Sequence, residues 1–349
     1  MNPDLWSLIG EKAALSGAMI GFALVVAMYS TWAERKVAAY IQDRRGPNRA
    51  GWGGLLQPLA DGGKLFFKEE ITPRHAEKFL FILGPTLAMI LACMTGAVIP
   101  WTTPFQWGDS VIVPQIADIN VGFLYILGVL SLGVYGIMLG SWASNNKWSL
   151  MGGLRAASQI ISYELPMGLA LIAILMISGT LRLGGIVEGQ MDGYWNIILQ
   201  PIGFIIFLVC AFAETNRTPF DLPEAENELI GGYHSEYSSM KLGFFLFAEY
   251  INIFISSVLI ATLYFGGYDI PFVNDEKLTE SLGMNTMAIL HFLSLFVKAC
   301  FFIFVFMWVR WTIPRFRYDQ LMNLGWKTLL PLALVNMLIT GLIILLLNN

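Results

Sequence analysis

Residues 288–309 read AILHFLSLFVKACFFIFVFMWV, with a single charge, Lys298. A hydrocarbon core about 30 Å thick takes about 20 apolar residues when they are helical. In lipid the backbone must satisfy its own polar groups, and a helix does so within one segment. The stretch therefore reads as a membrane-crossing helix, and the fold depends on how many more like it the chain holds. Counting outward, eight runs qualify or nearly so: roughly 13–32, 79–99, 120–141, 160–178, 196–213, 243–265, 287–309 and 328–347. The fourth and fifth are weakest, one with Glu164 and Pro166 near its start, the other short and ending at Glu214. The count is eight, between bounds of seven and nine. The expectation is an all-α integral membrane protein, one polytopic domain over residues 1–349.

Composition agrees. Charged residues make up 13% of the chain and hydrophobic ones 56%, against about 25% charged in soluble domains. Mean hydropathy is +0.62. A net charge of −4 gives no basic field for nucleic acid. Cys93, Cys210 and Cys300 lie far apart inside apolar runs, so they lack metal-ligand spacing and hold no iron–sulfur cluster. No metal site is read from the sequence. The N-terminal MNPDLWSLIGEK carries Asp4 and Glu11 before its apolar run, the wrong charge for a cleaved signal, so the first helix is expected to stay.

Lysines and arginines orient the bundle. Nine lie between runs one and two: Arg35, Lys36, Arg44, Arg45, Arg49, Lys64, Lys68, Arg74 and Lys78. The third loop adds Lys147 and Arg155, the fifth Arg217 and Lys241, the seventh Arg310, Arg315, Arg317 and Lys327. The opposite side holds only Lys12, Arg182 and Lys277. Odd loops are thus expected on the cytoplasmic (or matrix) side, with both termini on the periplasmic or intermembrane side. The loop PWTTPFQWGDSVIVPQ reads as interfacial, with Trp101 and Trp107 as headgroup anchors.

Within the first loop, Gln57, Asp61, Lys64 and Lys68 recur on one helical face, opposite Leu55, Leu56, Leu59, Phe66 and Phe67. That is a helix lying on the membrane surface, either a plain interfacial helix or one whose polar face lines a cavity mouth. Four charges fall inside or near spans: Glu164, Glu214, Glu249 and Lys298. A charge at a helix centre costs about 2.5–3.5 kcal/mol on insertion scales, so such residues are functional candidates that need partners. Orientation puts the three glutamates in the cytoplasmic half, level with an acidic loop holding Asp221, Glu224, Glu226, Glu228 and Glu236 against Arg217 and Lys241. Pro219, Phe220, Pro223, Tyr233 and Tyr237 argue that this loop is ordered and packed. Buried carboxylates that share protons suit a proton relay, and equally a cation site.

Four segments carry a resemblance over essentially the whole chain: ERKVAAYIQDRRGPN (34–48), GLLQPLADGGKLFFKE (54–69), AETNRTPFDLPEAENELIGGYHSEYSSMK (213–241) and PRFRYDQLMNLGWK (314–327). The chain resembles the H-type membrane subunits of respiratory complex I, the proton-pumping NADH:quinone oxidoreductase. The resemblance implies a translocase subunit with no redox centre of its own. Quinone is its substrate, and NADH, FMN and iron–sulfur clusters reside in partner subunits. Glu34, Arg35, Lys36, Arg44, Asp61 and Lys64 would line the quinone chamber. Arg217, Asp221, Glu224, Glu226, Glu228 and Glu236 would form an acidic coupling loop. Glu164, Glu214, Glu249 and Lys298 would form the proton path, with Arg310, Arg315 and Arg317 as balancing bases. Expected partners are hydrophilic-arm iron–sulfur and quinone-site subunits, small membrane subunits and antiporter-like subunits, in a bacterial inner membrane or a mitochondrial one. The alternatives are the related subunit of an energy-converting hydrogenase or formate–hydrogen lyase, and a stand-alone cation/proton antiporter.

Overall fold

The computed structural model describes residues 3–108, 110–224, 226–271 and 282–347. Among them, helices dominate: α1 (Pro3–Ile41), α2 (Gln57–Phe67), α3 (Lys78–Thr95), α4 (Gly122–Ala143), α5 (Lys147–Ser178), α6 (Leu183–Met191), α7 (Asn196–Leu199), α8 (Pro201–Glu214), α9 (Glu226–Leu229), α10 (Ser239–Tyr264), α11 (Met284–Thr312), α12 (Tyr318–Asn323) and α13 (Leu330–Leu347). Two short strands, β1 (Phe105–Trp107) and β2 (Ser110–Ile112), pair antiparallel with Phe105 opposite Ile112. They sit in the loop read as interfacial, and Trp107 is largely exposed.

Among the described residues, seven helices are long and apolar enough to cross a membrane: Ile9–Ile41, Lys78–Val98, Gly122–Ala143, Lys147–Ser178, Ser239–Tyr264, Met284–Thr312 and Tyr318–Leu347. The last runs through a π turn at Leu324–Leu329. The fifth expected run differs. It breaks at Gln200 (φ −133°, ψ 58°), and the remaining α8 has 14 residues, about 21 Å of helix. Pro201 causes the break, since its ring pushes the preceding residue out of helical geometry. Gln200 then serves as a buried polar clasp: Asn336 Nδ2 donates to its Oε1 at 2.9 Å, and its Nε2 donates to Thr340 Oγ1 at 2.7 Å.

Two helices outrun the hydropathy signal. α1 has 39 residues, because Ala38 and Ala39 continue good helix-forming sequence past the apolar run. α5 begins at Lys147, where the Asn146 side chain accepts from Trp148 N at 2.9 Å, and ends at left-handed Gly179 (φ 67°). Its polar, glycine-rich first half is buried against the rest of the bundle. A Cβ at Gly153 would lie 1.9 Å from Ser141 Oγ, so only glycine permits that approach to α4. Small residues set the α3–α4 contact too: a Cβ at Gly84 would lie 2.7 Å from Gly140 Cα.

The core lies between α5, α8, α10 and α11, where Tyr163, Ile174, Phe207, Phe254, Val258 and Phe302 are buried. Leu and Ile of α13 remain exposed on its outer face, as a lipid-facing surface requires. The bundle has two distinct ends. At one, Lys12 Nζ donates to Gln115 O at 2.9 Å and Thr102 Oγ1 donates to Ala288 O at 2.5 Å. At the other gather the ends of α1 and α11, the start of α10, the helix α2 and the acidic loop.

Candidate functional site

Arg217 is the hub of this second end. Its side chain is 8% exposed; Nη1 lies 3.5 Å from Glu34 Oε2 and Nη2 lies 3.9 Å from Glu249 Oε2. The guanidinium stacks on Tyr250, 4.3 Å from the ring centre, an arrangement that suits its delocalised charge. Tyr250 in turn donates to Glu34 Oε2 at 2.8 Å, and Arg310 Nη1 pairs with Glu34 Oε1. Tyr233 donates to Glu249 Oε1 at 2.7 Å. α1, α10, α11 and the acidic loop are thus joined through one polar knot. A turn makes this arrangement. Arg217 N donates to Phe212 O at 3.4 Å and Phe220 N donates to Arg217 O at 2.8 Å, while Phe220 packs against Tyr163. The side chain is held inward as a result.

Beside the knot opens a cavity of about 520 Å³, within the usual range for small-molecule sites. Its walls hold Glu34, Arg35, Arg44, Asp61 and Lys64, together with Arg217, Glu224, Glu249, Tyr250 and Arg310. Met28, Leu65, Leu242, Leu246, Phe247 and Trp311 supply apolar wall. On α2, Gln57 Nε2 donates to Asp61 Oδ1 at 3.0 Å and Arg35 Nη1 pairs with Asp61 Oδ2 at 2.6 Å. Asp61 and Lys64 therefore face the cavity, while Leu59, Phe66 and Phe67 stay exposed on the other side. Lys36 does not line the cavity; its amine lies over Trp32 at 5.8 Å.

The acidic loop divides. Asp221 is buried and accepts from Arg315 Nη2 at 2.9 Å. Burial, then the charge of Glu224, lifts its pKa to about 8, with Arg315 and Arg217 pulling the other way. Glu224 goes down instead, to about 2: burial opposes its charge, but the hydrogen bond and charge of His234 outweigh that. His234 Nδ1 lies 3.1 Å from Glu224 Oε1. Glu228 is half-exposed and pairs with Arg155 at 2.6 Å, and Glu236 accepts from Asn146 Nδ2 at 2.6 Å. Those two fasten the loop to α5 and its cap. The Glu226 side chain lies outside the described residues, as does Lys277. Arg317 is exposed at the start of α12, its N–H donating to Gln320 Oε1 at 3.2 Å.

Glu214 and Glu249 share a second, inner cavity of about 50 Å³, lined also by Thr95, Asn216, Tyr233 and Asn252. That volume has room for about three or four waters. Glu214 is buried, and its Oε2 has no hydrogen-bond partner among the described residues. Glu164 accepts from Ser131 on α4. Lys298 is not brought together with these carboxylates. Its amine donates to the carbonyls of Phe265, Gly267 and Asp269 at 2.8, 2.9 and 2.6 Å, and lies over Trp195 at 4.7 Å. Those carbonyls follow the C-terminus of α10, about 24 Å along the helix from Glu249. The partner that the sequence demanded for Lys298 is the C-terminal end of a helix, where a cation is favoured.

Sequence reasoning missed Tyr250, Tyr233 and His234 as members of the site. A signal existed for all three: Tyr250 adjoins Glu249, and Tyr233 and His234 lie in the conspicuous acidic stretch.

A family profile described as NADH dehydrogenase matches residues 14–341. Among similar curated proteins is an H-type NADH-quinone oxidoreductase subunit of Cytophaga hutchinsonii, 62% identical over 96% of this chain and 97% of that protein. The H-type NADH-quinone oxidoreductase subunit of Flavobacterium johnsoniae is 60% identical over 97% of this chain and 96% of its own length. The NADH-quinone oxidoreductase subunit 8 of Rhodothermus marinus is 49% identical over 93% and 96%.

Proposed function

The chain belongs to the NADH dehydrogenase family, and from that premise we propose that, as a membrane subunit of an NADH-quinone oxidoreductase, it forms the membrane side of the quinone chamber and passes the effect of quinone reduction to buried carboxylates. The observation that carries this reading is that Glu249 lines both cavities, the large one at the bundle end and the small one it shares with Glu214. One side chain therefore faces the space where a headgroup would be reduced and the space through which a proton would leave.

The large cavity fits a quinone in size and lining. Apolar wall from Leu242, Leu246 and Phe247 suits an isoprenoid stem, while the charged ring suits a head carrying two carbonyl oxygens. When bound, the quinone takes up two electrons and two protons. The chain's own residues govern how that charge is met. Arg217 keeps Nε and Nη2 without hydrogen-bond partners among the described residues, so the guanidinium retains donors for negative charge appearing nearby. Arg217 also holds Glu34 and Glu249. Any draw on its charge loosens its hold on Glu249 and raises that carboxylate's proton affinity. Proton exchange then extends inward to Glu214 across the water-sized gap, and Glu164 beside α4 is the next carboxylate in the same half. Arg310 and Arg315 balance Glu34 and Asp221.

The partners are the subunits that bring electrons to the cavity and those that receive the coupling: iron–sulfur and quinone-site subunits over the odd loops, antiporter-like and small membrane subunits alongside. The membrane is the bacterial inner membrane, with the odd loops cytoplasmic.

Glu249→Gln tests the reading. It keeps the shape and removes the proton site. The expected result is an assembled complex whose quinone-reductase rate and proton translocation both fall at least about tenfold, within the range of a lost acid–base group. Wild-type rates and pumping in an assembled Glu249→Gln complex overturn it.

A further inference from the structure

We propose that Glu224, His234 and Glu249 form a binding site for a divalent transition cation of the zinc type, which ties the acidic loop to α10. One donor atom from each residue lies within 4.8 Å of the other two. His234 Nδ1 stands 3.1 Å from Glu224 Oε1, and Nε2 stands 3.9 Å from Glu249 Oε1. The second observation concerns His234 itself. Its Nε2 is sealed from solvent and has no hydrogen-bond partner among the described residues, which leaves a lone pair or a proton directed at Glu249 with nothing to satisfy it.

The backbone makes this grouping. Gly231 and Gly232 both take positive φ, 96° and 57°, and a Cβ at Gly232 would lie 1.6 Å from Pro223 O. The chain therefore doubles back so closely that residue 224 must meet residue 234. α10 contributes Glu249 from the other side. The two Glu249 oxygens have separate duties: Oε2 faces Arg217 at 3.9 Å, while Oε1 faces Tyr233 and His234. A cation on Oε1 thus leaves the arginine contact in place.

The donor set selects the cation. One imidazole and two carboxylates are ligands that zinc takes readily, at about 2.0–2.2 Å in a tetrahedron. Calcium prefers six to eight oxygens, and magnesium keeps its waters in an octahedron. Bonds of that length put donors about 3.3 Å apart; one ring nitrogen of His234 and one oxygen of each carboxylate already lie within 4.8 Å of one another, so closing them on an ion takes shifts of no more than about 1.5 Å. Tyr233 Oη, 2.7 Å from Glu249 Oε1 and 3.5 Å from Glu224 Oε1, or a water, completes the fourth position. Glu224 and Glu249 both line the large cavity, which gives the ion its approach. Two negative carboxylates closed by a dication are withdrawn from proton exchange, so the bound ion inhibits. Binding stands apart from the quinone reading, whereas inhibition rests on it.

The test uses the intact, detergent-purified complex, stripped with chelator and then titrated with radioactive Zn²⁺ by equilibrium dialysis. Wild type is expected to hold one more tight zinc than His234→Gln, or to bind it at least about tenfold more tightly, as even an outer-shell change at a zinc site gives. X-ray absorption at the zinc edge is expected to show nitrogen and oxygen neighbours at that site. Should His234→Gln fail to assemble, Glu224→Gln takes its place, with the same loss expected. Equal stoichiometry and affinity in an assembled variant overturn the site. The Zn²⁺ concentration for half-inhibition, referred to each enzyme's own metal-free rate, is expected to rise in step with the binding loss. Lost binding with unchanged inhibition overturns the inhibitory role and leaves the site.

Discussion

At Arg217, two acidic side chains and an aromatic ring meet one guanidinium away from solvent. Removing one partner of such a group leaves uncompensated buried charge, at a cost of about 3–5 kcal/mol. Arg217→Met is therefore expected to reduce assembly sharply and to lower the midpoint of thermal unfolding in detergent. Arg217→Lys, which keeps the charge but loses the planar fork, is expected to fall between the two; an unchanged midpoint in Arg217→Met overturns this account. Part of the knot was readable beforehand. Glu249 stands out because charge is scarce in apolar sequence and must find an opposite, whereas Glu34 entered among the chamber residues that the resemblance implies. Which residue meets which did not stand out. Arg310 lies 276 positions from Glu34 and Tyr250 lies 216 away, and tyrosine in a membrane chain carries no mark that separates a ligand of a buried acid from an interface anchor.

Among the elements, seven of the eight expected apolar spans were legible because their length alone fixes them against the bilayer; the fifth was not, since Pro201 breaks it. The first half of α5 was not. Its serines, glycines and charges depress hydropathy, yet burial against α4 and the acidic loop replaces lipid as its apolar surroundings. Glycine packing governs the α3–α4 pair in the same way. Gly84→Leu forces a side chain into the Gly140 backbone, whereas Gly128, on α4 itself, has nothing within 4 Å of an added Cβ. Overpacking costs about 1–3 kcal/mol. Gly84→Leu should lower the unfolding midpoint by several degrees, and Gly128→Leu should leave it within error. Equal shifts in the two variants count against close α3–α4 contact as the reason for glycine at 84. The surface helix α2 was legible from its pattern, and its position beside α1 follows from the Arg35–Asp61 pair, which no pattern announces.

At the scale of the whole molecule, the two ends differ in kind. One is crowded with charge; among the described residues the other holds a hairpin, a few turns, the Arg182–Asp118 pair and Lys298 held by three carbonyls. The charge count in the loops predicts which end faces the cytoplasm. A Trp107→Cys variant, at a position 72% exposed in the wild-type chain, should react with a membrane-impermeant maleimide in right-side-out spheroplasts and stay unlabelled in sealed inverted vesicles. The reverse pattern would mean that the bundle is upside down. The gathering of charge at one end of the bundle was legible in the loop sequences. The single polar knot was not, because it depends on how deep the loops descend. α8 explains that depth. It is short of a bilayer crossing by about 9 Å, and the chain fills the deficit with irregular backbone at residues 215–222, largely buried. Gln159 answers buried polar groups there, donating to the Ala213 carbonyl at 2.8 Å and to the side-chain Asn216 Oδ1 at 3.1 Å. Irregular backbone is tolerated at membrane depth only inside protein. The truncated helix therefore exchanges about 9 Å of purely apolar crossing for hydrogen-bonded polar chain, a more polarisable medium than hydrocarbon and so a lower electrostatic barrier for a charge entering from this end.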